Sequence, residues 1–221
     1  MAITNLVGNI INLLLRIPGV IFVFSFKGFF QSYVATKLGD PTPRNAGRLT
    51  INPAAHIDPI GFIFLLVFRF GWTKPIPVRT RNFKKIKRDT GIYYASGPLG
   101  CILGGFIMAF FASLTFKLMT VLSINLDAIN IIYLIFNYAS LICVSLGVFY
   151  LLPLPGLDGY NFITNFVPYK YYKQLYTIEK YSLYIFIGFI LLLNTGVGSL
   201  ILGIPISLIM NAFGLILGLI F

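Results

Sequence analysis

Residues 18–36, PGVIFVFSFKGFFQSYVAT, are apolar along almost their whole length and carry one charge, Lys27, near the middle. A run of this length matches the roughly 20 residues a helix needs to cross a bilayer. A lysine at that depth is costly unless it pairs with a partner or reaches an interface. Read as a transmembrane helix, the stretch makes this a membrane protein and makes Lys27 a residue in need of a partner. Pro18 suits the first turn of such a helix. The preceding ITNLVGNIINLLLR (3–16) is amphipathic, an interfacial helix or an extension of the span, with Arg16 near the boundary.

Composition agrees: of 221 residues 57% are hydrophobic and 10% charged, with mean hydropathy +0.87, outside the range of a soluble domain. Further apolar blocks lie at 91–122, 128–152 and 181–221. The last is long enough for two spans, broken near NTGVG (194–198) and bent at Pro205. The expected fold is a single all-α polytopic membrane domain, 1–221, with five or six transmembrane helices. Its core covers about 18–167, with C-terminal helices at about 181–221. Between the first and second full spans, PIGFIFLLVFRFGW (59–72) is too short for a comfortable crossing and reads as a re-entrant or short β-like segment.

Lys and Arg number 17 against 6 Asp and Glu, a net charge of +11. Eight basic residues fall in 69–88 (Arg69, Lys74, Arg79, Arg81, Lys84, Lys85, Lys87, Arg88), and Lys170, Lys173 and Lys180 follow two spans later. The positive-inside rule puts both regions on the cytoplasmic face, where they suit anionic lipids rather than nucleic acid. Cys101 and Cys143 sit far apart in apolar segments and read as small buried hydrophobes. The N-terminus lacks the basic start and small-residue cleavage site of a signal peptide. Richness in Ile, Asn, Lys and Phe suits an AT-rich prokaryotic genome, and the expected location is a multi-pass position in a prokaryotic plasma membrane.

Four local patterns occur in order: KLGDPTPRNAGRLTINPAAHIDPIG (37–61), GWTKPIPVRTRNFKK (71–85), ASGPLG (95–100) and LLPLPGLDGYNF (151–162). In order and spacing they resemble the compact bacterial and archaeal branch of the site-2 proteases, the intramembrane zinc metalloproteases, over about 18–167. The resemblance implies a first span carrying H-E-x-x-H just ahead of KLGDPT, two histidines and a later aspartate holding zinc, and the glutamate acting as general base. Here that slot reads Lys27-Gly28-Phe29-Phe30-Gln31. Lys27 and Gln31 stand at the histidine positions and Gly28 at the glutamate. Asp158, in the L-D-G element Leu157-Asp158-Gly159, matches the retained ligand. Tyr150 and Cys101 replace two asparagines of the family pattern, while Gly97 and Pro98 keep its Gly-Pro motif.

The chain has one histidine, His56, and one glutamate, Glu179, so no H-E-x-x-H can be assembled from it. Glu179 reads as an exposed carboxylate beside Lys180. His56 belongs to the NPxxHIDPIG element and reads as structural. Asp158 reads either as a helix N-cap or, because the family fold brings its position and that of Lys27 to one metal, as a buried partner of Lys27, with Gln31 adding a hydrogen bond one turn along. The expected function is a pseudoprotease, without cofactor or catalytic residues, that binds or regulates transmembrane segments of other membrane proteins. Binding would use Gly47, Arg48, Leu49, Thr50, Ile51, Asn52 and Pro53 as a strand-like edge. The alternative is an active zinc metalloprotease with a reassigned site built on His56 and Asp158. A transporter is a distant third, suggested only by the intramembrane Lys and Asp.

Overall fold

A computed structural model describes the backbone of residues 2–68, 71–121, 127–193 and 195–220, and for 2–7, 9, 66–68 and 199 the backbone alone. Arg69 of the first basic region, Leu122 at the end of the second apolar block and Asn194 of the expected break lie outside the described residues. Among the described residues ten α-helices occur: α1 (Ala2–Lys37), α2 (Thr42–Asn45), α3 (Pro53–His56), α4 (Pro59–Phe68), α5 (Ile86–Val121), α6 (Asp127–Leu151), α7 (Asp158–Thr164), α8 (Tyr172–Lys180), α9 (Ser182–Leu193) and α10 (Gly196–Gly218). Among the described residues there is no strand. The extended chain between α3 and α5 forms one isolated antiparallel bridge, Ile57 with Thr73.

Residues Ile10–Lys37 of α1, together with α5, α6 and α10, are long and apolar enough to cross a membrane. The amphipathic start of α1 is an extension of the span rather than a separate helix. Pro18, expected in a first turn, lies inside this continuous helix. A proline there removes one backbone hydrogen bond and favours a bend, which membrane helices tolerate.

Helices α1, α5 and α6 pack through small residues, as membrane helices do when no hydrophobic effect drives them together. A Cβ on Gly19 would lie 2.7 Å from the Ala139 backbone, and one on Gly105 would lie 2.8 Å from a Val144 methyl. Ser140 donates to the Gly105 carbonyl at 2.9 Å. Val20, Val23 and Phe24 of α1, Cys101 of α5, and Cys143 and Leu146 of α6 form the buried core, with both cysteines as free thiols.

Helix α10 runs antiparallel to α6: Ile206 faces Ser145, Met210 faces Ser140, and the 213–218 end reaches Asn137 and Tyr133. It therefore starts near the end of α6. Between them, Tyr169–Lys180 and Ser182–Leu193 meet at a 63° bend and are long and apolar enough to cross only when taken together as one broken span. Within residues 181–221, α10 is long enough to cross alone, and α9 counts toward a crossing together with α8, which brings the spans to four or five. The twelve residues of α9 span about 18 Å against a core of about 30 Å, so α9 needs α8 to reach across.

Asp40 fastens the loops on this face. Its buried carboxylate accepts from Thr42 N (3.1 Å) and Oγ1 (2.6 Å), Arg79 N (2.7 Å) and Asn82 Nδ2 (2.8 Å), tying the end of α1 to the approach to α5. Burial alone would raise its pKa, but these hydrogen bonds, Thr42's foremost, outweigh it and hold the carboxyl below its usual range.

Candidate functional site

The helical register of α1 puts Lys27 and Gln31 on one face, one turn apart. That face meets α5, α6 and α7. Lys27 lies ten residues before the end of α1, or about 15 Å along the helix, and is 4% exposed, so its ammonium is held inside the protein. Its Nζ lies 3.0 Å from Asp158 Oδ2 and donates to Gln31 Oε1 at 3.0 Å. Gln31 Nε2 donates to Asp158 Oδ1 at 3.2 Å and approaches the Tyr93 carbonyl at 3.4 Å. Asp158 Oδ2 takes the charge contact without an aligned hydrogen bond.

Asp158 opens α7, but Leu157 is the N-cap residue and no side chain caps this helix, so the carboxylate is not a cap. Its placement comes from the glycines around it. Gly156 turns the chain at φ +92°, where other residues are strained. Gly159 sits so close to the end of α6 that a Cβ would fall 2.2 Å from the Leu151 carbonyl oxygen. Across the gap, a Cβ on Gly97 of α5 would fall 2.2 Å from Asp158 Oδ2 and 3.0 Å from Gln31 Nε2. Pro98 follows it, fully buried within α5.

In the sequence Tyr150 stands out only as the replacement of an asparagine in the pattern that the motifs resemble. In the fold its ring lies under the ammonium, with Lys27 Nζ 4.2 Å from the ring centroid, a cation–π contact made in a dry setting. The signal was available: an aromatic residue at the end of α6, close in sequence to Asp158. Tyr93, whose carbonyl receives Gln31, had no comparable signal, because a backbone acceptor leaves no mark in composition.

His56 is fully buried beside the same helix, one residue along. Its Nε2 lies 2.7 Å from the Thr50 carbonyl and so carries the proton. Nδ1, without a partner, faces Gly28, where a Cβ would come within 2.1 Å of it. Burial lowers the His56 pKa, opposed by the Thr50 bond and assisted by the charges of Arg48 and Lys27, so the ring is neutral. The imidazole covers the helix backbone at Gly28.

Segment 47–53 does not form an edge strand. Gly47 turns the chain at φ +70°, Arg48 donates to the carbonyls of Ala55 and Pro75, and the Asn52 side chain caps α3 by accepting from Ala54 N. Backbone groups that an edge would present are also used: Gly47 N and Arg48 N donate to the carbonyls of Arg44 and Pro43, and the carbonyls of Thr50 and Asn52 accept from His56 and Ala55 N. Leu49 and Thr50 are half-buried, and Ile51 and Pro53 are exposed. What faces the Lys27–Asp158 pair is the later extended stretch 72–78. With Tyr93, Tyr94 and Tyr150 it lines a cavity of about 430 Å³ whose floor is Lys27, Gln31 and Asp158.

The donor set at this floor does not fit zinc. A metalloprotease site needs imidazoles and a carboxylate around an open position; here an ammonium sits against the one carboxylate and an amide stands at the other family position. Among the described residues, no three His, Cys, Asp or Glu side chains converge.

No family model and no solved structure matches the chain. A protein of Bacillus subtilis (strain 168) carrying the name "Putative zinc metalloprotease YwhC" is 36% identical over 183 residues, which is 81% of this chain and 80% of that protein.

Proposed function

The chain belongs to the family of this Bacillus subtilis protein, as the site-2 protease resemblance of its motifs leads one to expect, and from that premise we propose that it is a non-catalytic member that binds transmembrane segments of other membrane proteins. One observation carries the reading: Lys27 Nζ stands 3.0 Å from Asp158 Oδ2, at the positions where the family gathers its metal. Hydrolysis of a peptide bond needs an activated water and a group to take its proton. At the general-base position stands Gly28, under the His56 ring. A cavity of about 430 Å³ with an extended segment along one side remains, and it suits holding a chain rather than cutting it.

Zinc stoichiometry of the detergent-purified full chain, with Asp158→Ala as control, tests this. The expected result is no bound zinc in either protein. Near-stoichiometric zinc that disappears in Asp158→Ala would overturn the reading. It would favour the second one, an active protease with a site reassigned to His56 and Asp158, whose support is the unpartnered Nδ1 of His56.

A further inference from the structure

The cavity over Lys27 and Asp158 adjoins a second one, of about 530 Å³, since Thr80 and Tyr94 line both. The second cavity is a polar vestibule between the start of α5, α7 and α8, on the face where the chain is otherwise strongly basic. Its lining is hydroxyls and amides, with a single charge, Glu179, and no lysine or arginine among the described residues. Three of its features leave hydrogen-bonding capacity open. Thr90 Oγ1 is buried without a partner although Thr90 is only 7% exposed. The Asn161 side chain makes no hydrogen bond among the described residues, while its carbonyl accepts from Asn165 and Thr164. The Glu179 carboxylate faces the Tyr160 hydroxyl and is not neutralised by a cation, because the ion pairs among the described residues are Lys27–Asp158 and Arg88–Asp89.

Membrane proteins carry an excess of Lys and Arg at the cytoplasmic ends of their spans. A partner segment lying in the inner cavity would bring that end into the vestibule. We propose that the vestibule receives the basic end of the bound transmembrane segment, with Glu179 pairing its first lysine or arginine and Thr90 and Asn161 bonding its backbone. This rests on the partner-binding reading above and adds to it the chemistry of the partner. The inner chamber, whose own carboxylate is already paired with Lys27, has no charge to offer a cation. Discrimination therefore falls to Glu179, the one glutamate of the chain.

Trp72, the chain's single tryptophan, lines the inner cavity and supplies the readout. The full chain is placed in phosphatidylcholine nanodiscs with a dansyl-labelled peptide of about 20 Leu and Ala residues, ending in Lys or, as control, in norleucine. Binding is followed as energy transfer from Trp72. An exposed ion pair predicts that the Lys peptide binds roughly three- to fivefold tighter than the norleucine peptide at low salt, with the difference fading as salt rises. Glu179→Gln should abolish the preference, and Glu179→Lys should transfer it to a peptide ending in Glu, an outcome a misfolded variant cannot produce. Equal binding of Lys and norleucine peptides to the unmodified protein would overturn the role of Glu179 and leave partner binding intact. Absence of transfer with every peptide would overturn both.

Discussion

Replacing Lys27 by Met keeps the length of the side chain and removes its charge. Asp158 then loses its cation and retains one hydrogen bond, from Gln31 at 3.2 Å. At the observed 3.0 Å, two unit charges attract by about 5 to 6 kcal/mol in an effective dielectric of about 20. Desolvation offsets much of that in the intact pair, but a lone buried charge keeps the desolvation cost and loses the attraction, so removing one partner costs about 3 to 5 kcal/mol. Asp158→Leu should cost about as much, softened by the Tyr150 ring beneath the ammonium. For a chain of this size each kcal/mol moves the melting temperature by roughly 2 to 4 °C, so each single variant should melt on the order of 10 °C lower. The double variant Lys27→Met, Asp158→Leu leaves no buried charge and should lie within about 1 to 2 kcal/mol of the original. The assay is thermal unfolding in detergent followed by Trp72 fluorescence. Additive losses in the double variant would refute the pairing, because independent sites add and coupled ones do not.

Gly97→Ala places a methyl 2.2 Å from Asp158 Oδ2, so it should displace the carboxylate and lower the melting temperature nearly as far as Asp158→Leu does, in the same assay. Gly28→Ala drives a methyl into the His56 ring, which Thr50 anchors, and should cost roughly 1 to 3 kcal/mol; part of the loss should return when His56→Ala is added. Asp40 has its carboxyl pKa held below the unfolded value, so its contribution is present above about pH 4 and is lost as pH falls through the folded value. A pH series of melting temperatures should show an acid-side decline that is reduced in Asp40→Asn.

The membrane class was legible because an apolar run with one lysine is a strong signal, and the approach of Lys27 to Asp158 followed from placing two motifs on one fold. Less visible was what depends on three-dimensional meeting. Tyr150 lies far along the chain from Lys27, and only the packing of α6 against α1 brings its ring under the ammonium. The segment 47–53 holds polar and β-branched residues of an edge, yet its backbone bonds turn inward to Pro43, Arg44, Ala55 and His56, and Arg48 ties it to the extended stretch at Pro75. Residues 181–221 are apolar enough for two crossings, and hydropathy does not register the 63° bend that joins α9 to α8.

The polar cluster draws on four helices: Lys27 and Gln31 from α1, the Tyr93 carbonyl and Gly97 from α5, Tyr150 from α6 and Asp158 from α7. In a metal-bearing relative the corresponding positions would be braced by a dication shared among its ligands. A lysine on α1 meeting an aspartate on α7 braces the same two elements with a covalently tethered cation that cannot dissociate. Such a brace supplies no open coordination position and no acidified water, but it keeps the floor of the cavity in place. One set of side chains can therefore hold the groove without supplying a metal site, which is why cleavage and binding must be measured separately, and why single variants that break the brace are expected to lose both stability and partner binding while Glu179→Gln loses only the preference for a basic end.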